Sequence, residues 1–465
     1  MRPESGAPGG ARPRWYVLAV LTVLVAATVL RFWHLGAWSM WVDEGMTYLR
    51  AKSGILNDQG PMYATAPLNF LVTRWIIVHE GASLFWLRFF PAFCGVAGVG
   101  AVLWSGYRLS GPVGSIAAGA LVALSPWHID WSQNARHFSA VFLFAVVAVT
   151  AFYEYWESGR LRWLVTAFVA AALGLLTHSS TVFVIAAMGV YAACLVVLPG
   201  FRPGIVTRSK VIASGVFFVA LIGGYAPVAM TVSKYLGAHK TAWNPPSNVA
   251  ESVIYYVGAL ELAMAVLIGV WALVRKRRAG LVLLCWLIVP IACVVLAAFK
   301  TISSGAYALP SLAAAALLLG TLAEETWAQG AGARTMAALV AAGIAAQLLL
   351  RTGLYLTAEQ GNRPPWDEAV RWVAATAKPG EPIYASEGVV LGYYLGDDAR
   401  GLWLDHWHPP APGGTQWLLV LAGDGTIDTP PLAAFVHESC RVVDVLPRNT
   451  GPKRRDITIY ECLGK

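Results

Sequence analysis

The chain has 465 residues, 57% of them hydrophobic and 13% charged, with a formal charge of +8 and a mean hydropathy of +0.58. Soluble domains carry roughly twice that charged fraction, so the composition excludes a soluble globular protein and defines an integral membrane protein. The basic residues lie in short loops between apolar runs, where they orient helices. No basic patch interleaved with aromatics stands on a soluble domain, which excludes nucleic acid as a partner.

Residues 1–14 are rich in Pro, Gly and Arg and are expected to form a disordered cytoplasmic tail. The apolar run from Trp15 to Leu30 has no small-residue cleavage site after it and reads as an uncleaved anchor. A first outer loop is expected over residues 34–83. It contains Ser39-Met-Trp-Val-Asp-Glu-Gly-Met-Thr-Tyr48, in which the adjacent acids Asp43 and Glu44 sit among Trp38, Trp41 and Tyr48. Two acids in a loop are ordinarily just solvated. Ionisable groups at a membrane face among aromatics more often mark a site.

Runs long enough to cross a bilayer are expected at 15–33, 84–107, 113–127, 138–157, 161–177, 180–198, 211–231, 252–274, 279–298, 306–322 and 335–352, about 11 spans in one polytopic α-helical domain over 15–352. The apolar stretch Pro67–Val78 is too short to cross. If it did cross, Arg275-Lys-Arg-Arg278 would face outward, against the positive-inside bias. It is therefore expected as a juxtamembrane helix on the outer face. This arrangement puts the N-terminus in the cytoplasm and the polar stretches Pro126–His137, Thr177–Ser180, Lys234–Pro246 and Lys300–Tyr307 outside. Glu324-Glu325 falls inside and reads as a solvated helix end.

From about residue 362 to 465 the composition shifts to a small extracytoplasmic α/β domain. A helix opens at Pro364-Pro-Trp-Asp-Glu, strands are expected at Pro382–Ala385, Trp417–Leu421, Cys440–Leu446 and Asp456–Cys462, and a helical pattern lies near Leu432–Glu438. Paired antiparallel, the last two strands would bring Cys440 opposite Cys462. In an oxidising compartment these form a disulfide, and otherwise two thiols. The other four cysteines lie in apolar runs and read as core residues. His406 and His408 have a spacing that can bind metal, but one such pair is weak ground for a site.

A site outside the cytoplasm lacks nucleotide sugars, and the chain has no Gly-rich phosphate loop. A lipid-borne substrate suits the architecture. Such chemistry needs a carboxylate to draw a proton from an acceptor hydroxyl, and cations or hydroxyls to hold a leaving phosphate. Asp43 can be the base, and Arg136, Lys300, His178 and Tyr307 are candidates for the phosphate clamp. Each has a plainer reading: Arg136 and Lys300 as snorkelling anchors, Tyr307 as part of an aromatic belt, and His178 as a hydrogen-bonded structural residue.

Several motifs resemble a known group. Arg31…Trp41-Val-Asp43-Glu44-Gly45 and Ala66-Pro67-Leu-Asn-Phe70 are similar to the first outer loop of membrane glycosyltransferases with the C-type (GT-C) fold, in particular the protein-mannosyltransferase and lipid A aminoarabinose-transferase group. Leu124-Ser-Pro126…Ser132-Gln133-Asn-Ala-Arg136-His137-Phe138 and Lys300-Thr…Tyr307-Ala-Leu-Pro310 resemble two later stretches of that group, in the same order, so that the likeness covers about residues 15–325. It implies an inverting glycosyltransferase in the cytoplasmic membrane that moves a sugar from a polyprenyl-phosphate donor to an acceptor glycan, lipid or protein. It further implies that Asp43 is the base, that Glu44 positions the acceptor or a divalent metal, and that Arg136, Lys300 and Tyr307 meet the donor phosphate. A multi-span transporter or flippase of lipid-linked glycans, or a non-catalytic scaffold of the same fold, are the alternatives. The chain shows no matching halves with broken helices, the pattern common in transporters.

Overall fold

The computed structural model describes residues 13–53, 65–201, 207–238, 246–300, 303–396, 401–450 and 453–464. Most of the tail expected at 1–14, and the part of the Lys234–Pro246 loop around Lys240, lie outside the described residues. Nearly every apolar run is helical, because backbone groups in a bilayer have no water and must bond within the segment. The helices in chain order are α1 (Arg14–Phe32), α2 (Val42–Ser53), α3 (Pro67–Glu80), α4 (Leu84–Leu109), α5 (Pro112–Leu124), α6 (Pro126–Ser132), α7 (Phe138–Ser158), α8 (Leu161–Thr177), α9 (Thr181–Val197) and α10 (Arg208–Ala238). They continue with α11 (Pro246–Val257), α12 (Ala259–Val274), α13 (Arg278–Ala298), α14 (Ser311–Ala328) and α15 (Ala331–Leu356).

Among the described residues, six helices are long and apolar enough to cross a membrane, or eight if two bent pairs each count as one span. Two more apolar helices, α8 and α9, have 17 residues each. The eleven straight spans expected are therefore not reproduced as such, and two local breaks explain part of the difference. Pro126 has no N–H and disfavours helix at the residue before it, so Ser125 is extended (ψ 117°) and α6 turns 61° away from α5. The expected span 252–274 breaks at Gly258, whose φ of 98° is left-handed. Pro67–Glu80 forms one 14-residue helix, packed on α2, α4 and α8.

The break at Pro126 frees the carbonyls of Val122 and Ala123. Both are taken by the buried Arg31 at 3.0 Å, which also meets His128 Nδ1 at 2.8 Å. Gln133 Nε2 donates to the carbonyls of Leu30 and Trp33. The end of α1 is thus bound to the turned segment, which carries Asp130 and Asn134 beneath the first loop. Deeper in the bundle α5 and α14 approach backbone to backbone, since a Cβ on Gly114 would lie 2.7 Å from the carbonyl oxygen of Gly320. Small residues permit such contact between membrane helices.

At the bundle end remote from α6, basic residues at helix ends meet acids. Arg108 pairs with Glu154, Arg278 with Glu157 at 2.6 Å, and Arg277 with Glu325. Glu324 accepts the Gly114 N–H at 2.8 Å. Glu324 and Glu325 therefore tie helices together and are not merely solvated.

The C-terminal domain contains α16 (Trp366–Thr376), β1 (Ile383–Ala385), α17 (Gly388–Tyr394), β2 (Gly401–Trp403), β3 (Thr415–Leu421), α18 (Pro430–Ser439), β4 (Cys440–Leu446) and β5 (Ile457–Leu463). The sheet order is β2-β1-β3-β5-β4, with β1 parallel to both its neighbours and β5 antiparallel to both of its own. One face, carrying Ile383, Trp417, Leu419 and Ile459, packs under Trp366, Val370 and Val373 of α16. The other, with Tyr384, Leu418 and Val420, meets Leu432 of α18. Cys440 is registered opposite Cys462 and the two form a disulfide. β2 and α17 were not expected, and α17 packs against α2 of the first loop.

Candidate active site

Helix α2 has Asp43 and Glu44 in its first turn and Arg50 and Lys52 in its last, which suits the helix dipole at both ends. Successive residues of a helix point about 100° apart, so the two acids face different surroundings. Glu44 turns inward and is fully buried. Its Oε1 accepts from Arg88 Nε and from the Ala135 N–H, both at 2.8 Å, and its Oε2 accepts from Arg88 Nη2 at 2.7 Å. Arg363 lies 3.8 Å away. Burial pushes the Glu44 carboxyl up, but Arg88 and Arg363 outweigh it and hold it below the usual carboxylate range.

Arg88 spends its remaining donors on the carbonyls of Leu35, Trp38 and Ser39. This knot fixes the chain that leads into α2. The role expected for Glu44, facing an acceptor or a metal, does not fit. The side chain has no accessible surface and both oxygens are engaged, so it acts as a positioning residue.

Asp43 turns outward, with 38% of its side chain exposed, and its Oδ2 lies 3.7 Å from Arg136 Nη2. Arg136 is held over α2 by Nη1 contacts to the Asp43 carbonyl (3.5 Å) and Thr47 Oγ1 (3.4 Å). Both line a cavity of 1380 Å³. Its polar walls include Asp43, Arg50, Arg136, His178, Glu387 and Arg455. The apolar side is built by Ile185 of α9, Leu221, Ile222 and Met230 of α10, and Ala297 of α13.

His178 and Tyr307 are also on the wall. The His137 and His178 rings stack at 3.7 Å with 5° between planes, and Tyr307 stacks on His178 at 5.2 Å. The Ser180 N–H donates to His178 Nδ1 at 3.1 Å, which makes that nitrogen the acceptor and leaves the proton on Nε2. Burial, then the Arg136 charge, pushes the imidazole down to about 3, so the ring is neutral. Lys300 is the exception. It is exposed at the end of α13 and is not among the cavity-lining residues.

Other residues of this region escaped the sequence reading. Arg88 had a signal, an arginine at the start of an apolar run. Arg363, Glu387 and Arg455 had none, because they come from the C-terminal segment through tertiary contact. Glu387 Oε2 accepts from Trp366 Nε1 at 2.8 Å. Burial lifts its carboxyl to about 7; the Trp366 bond and Arg455 pull it down, while Asp43 and Asp424 push it up. Among the described residues no three His, Cys, Asp or Glu side chains converge where a metal ion could sit. His406 and His408 belong to no such group.

The family model described as dolichyl-phosphate-mannose-protein mannosyltransferase matches residues 65–226. No protein of curated function matches the sequence. Among solved structures, ArnT from Cupriavidus metallidurans in the apo state is similar over 96% of this chain and 97% of its own, with a TM-score of 0.59 and 13% identity. The same protein bound to undecaprenyl phosphate gives 0.60 over 96% and 98%, also at 13% identity. The archaeal oligosaccharyltransferase AglB from Archaeoglobus fulgidus, in complex with an inhibitory peptide and a dolichol-phosphate, is similar over 84% of this chain and 64% of its own, at 0.58 and 14%. The shared feature at such identities is the fold, and it is the GT-C fold of membrane glycosyltransferases. The expected architecture stands in its helical bundle of apolar spans and its small C-terminal sheet region.

Proposed function

We propose that this chain is an inverting glycosyltransferase that moves a sugar from a polyprenyl-phosphate carrier to an acceptor hydroxyl on the extracytoplasmic face of the cell membrane. The observation that carries this reading is the Asp43–Arg136 pair, set in a cavity lined by polar side chains and by apolar residues of α9, α10 and α13. A polyprenyl tail fits the apolar side between α9, α10 and α13. Its phosphate then reaches Arg136, with the His178 Nε2–H and the Tyr307 hydroxyl as further donors. The ArnT bound to undecaprenyl phosphate and the AglB bound to a dolichol-phosphate share the fold, which supports a carrier of this class. The basic residues gathered at the opposite bundle end and the disulfide of the C-terminal domain support an outward-facing site.

In the reaction Asp43 takes the proton of the acceptor hydroxyl as that oxygen attacks the anomeric carbon. The new C–O bond forms while the bond from C1 to the phosphate oxygen breaks. Polyprenyl phosphate leaves against Arg136, and the anomeric configuration inverts. Arg50 and Arg136 supply positive charge at the donor side of the site.

The test is transfer from a radiolabelled polyprenyl-phosphate sugar by the purified full chain in nanodiscs. Wild type is expected to discharge the donor and Asp43→Asn to lose about 10²- to 10⁴-fold in rate, the usual worth of a general base. Equal rates would remove Asp43 as the base. Lipid-linked sugar that crosses vesicle membranes without cleavage would point to a flippase instead.

A further inference from the structure

The cavity is assembled by two separate parts of the chain. The membrane domain provides Asp43, Arg136 and the apolar side. The C-terminal domain provides Glu387, at the entry to α17, and Arg455, just before β5. We propose that Glu387 and Arg455 form the acceptor subsite, and that it takes a sugar ring by its hydroxyl groups. This rests on the transferase reading above.

Three observations argue for it. First, Glu387 is a placed group. Trp366 Nε1 holds Oε2 at 2.8 Å, and Oε1 takes no hydrogen bond among the described residues although it belongs to a cavity-lining side chain. One oxygen is therefore anchored and the other available. Second, its position relative to Asp43 is fixed by packing. A Cβ on Gly45 would lie 3.2 Å from Val389 Cγ1, so α17 sits directly on α2. Nearby, the Tyr394 hydroxyl accepts the Met40 N–H at 2.9 Å, Tyr393 donates to the Ala82 carbonyl at 3.0 Å, and Ser39 Oγ accepts the Asp367 N–H at 3.1 Å. Domain and first loop are one unit here.

Third, charge sorts the two substrates. Arg136 offers N–H donors to a phosphate, whereas the second oxygen of Glu387 is an acceptor that suits a hydroxyl and not a phosphate, so the donor's phosphate belongs on the Arg136 side and the other partner belongs by Glu387. A carboxyl and a guanidinium lining one cavity can accept from and donate to hydroxyls of one ring. The indoles of Trp41 and Trp131, also on the wall, offer apolar faces for that ring. A monosaccharide unit presents both features, vicinal hydroxyls and an apolar face.

The test is equilibrium binding to the full chain in nanodiscs, with undecaprenyl phosphate as the donor-side probe and mannotriose and maltotriose as acceptor-side probes. Wild type is expected to bind undecaprenyl phosphate and at least one trisaccharide. Glu387→Gln and Arg455→Gln should weaken the trisaccharide at least tenfold while undecaprenyl phosphate affinity changes less than twofold. Arg136→Gln should do the reverse. In the Glu387→Gln variant the amide oxygen still accepts the Trp366 N–H, and a thermal midpoint close to that of wild type at about pH 4.5, where the carboxyl is neutral like the amide, checks that the domain stays folded. Absence of trisaccharide binding to wild type, trisaccharide binding by the Glu387 and Arg455 variants equal to that of wild type, or displacement of the sugar by a Ser/Thr-rich peptide would overturn the proposal. Failure of wild type to bind undecaprenyl phosphate would count against the transferase reading instead.

Discussion

The two sides of α2 form a natural comparison. Beneath the helix, Glu44, Arg88 and Arg363 make a dry knot in which every oxygen of the acid is engaged. Above it, Asp43 and Arg136 keep a longer 3.7 Å contact, partly open to a large cavity. The residue types are the same, acid with arginine, and the acids are adjacent in sequence. What differs is water. The buried pair is saturated and holds the loop in shape, whereas the open pair has unfilled capacity and can meet a substrate. A carboxylate–arginine pair is therefore a fastener or a reaction centre according to the solvent it retains.

Substitutions on each side should separate these roles. The largest effect is expected from Arg88→Ala, which leaves Glu44 buried without its main partner and strips three carbonyls of donors. Removing one member of a buried pair costs about 3–5 kcal/mol, so folded protein recovered in detergent should fall sharply and its thermal midpoint drop. Asp43→Asn should do the opposite, with transfer reduced about 10²- to 10⁴-fold and a midpoint close to wild type. If both variants lost stability equally, the contrast between the two sides would fail.

Next comes the edge of the C-terminal sheet. Cys440 and Cys462 close a loop with a sequence separation of 22, and replacing both by Ser should lower stability by about 3 kcal/mol. Limited proteolysis of the domain, with and without reductant, checks this. Glu387 gives a smaller, pH-dependent effect. Its carboxyl is raised from 4.5 to about 7 in the fold. Its contribution to stability is therefore complete below about pH 4.5 and is lost as the pH rises through about 7. The shift sets an upper bound of about 3 kcal/mol, and water in the cavity reduces it to about 1–2 kcal/mol. The midpoint difference between wild type and Glu387→Gln, followed from pH 4 to 8, should change with that sign.

The smallest effect is expected at the contact between α2 and α17. For Gly45→Ala, a gain of about 1 kcal/mol in helix propensity is set against crowding of Val389, worth about 1–3 kcal/mol. A net loss near 1 kcal/mol in thermal unfolding is the expected outcome, on the order of the difference between those two effects.

The membrane class, a separate short helix from Pro67, the strands of the C-terminal domain and the Cys440–Cys462 pairing were all legible in the sequence. Each depends on a local pattern: apolar length, loop charge, or alternation read off successive residues. Asp43, Arg136, His178 and Tyr307 were found the same way, as polar groups at the ends of apolar runs, and the structure brings them to one cavity. Lys300 satisfied the same pattern and still lies outside that wall, since an end-of-helix lysine looks alike whether it faces a site or solvent. Two expected straight spans are bent pairs of helices, at Pro126 and Gly258, because hydropathy does not register direction.

The sequence by itself determined that the chain crosses the membrane many times and carries two adjacent acids just after its first apolar run, since burial of apolar length depends on composition alone. Which of two neighbouring acids is dry and which is wet was decided only by the tertiary structure. So was the arrival of Glu387 and Arg455 at the cavity that Asp43 lines, from the far end of the chain. Solvation and charge pairing depend on which atoms surround a group in space, and those neighbours come from distant parts of the chain.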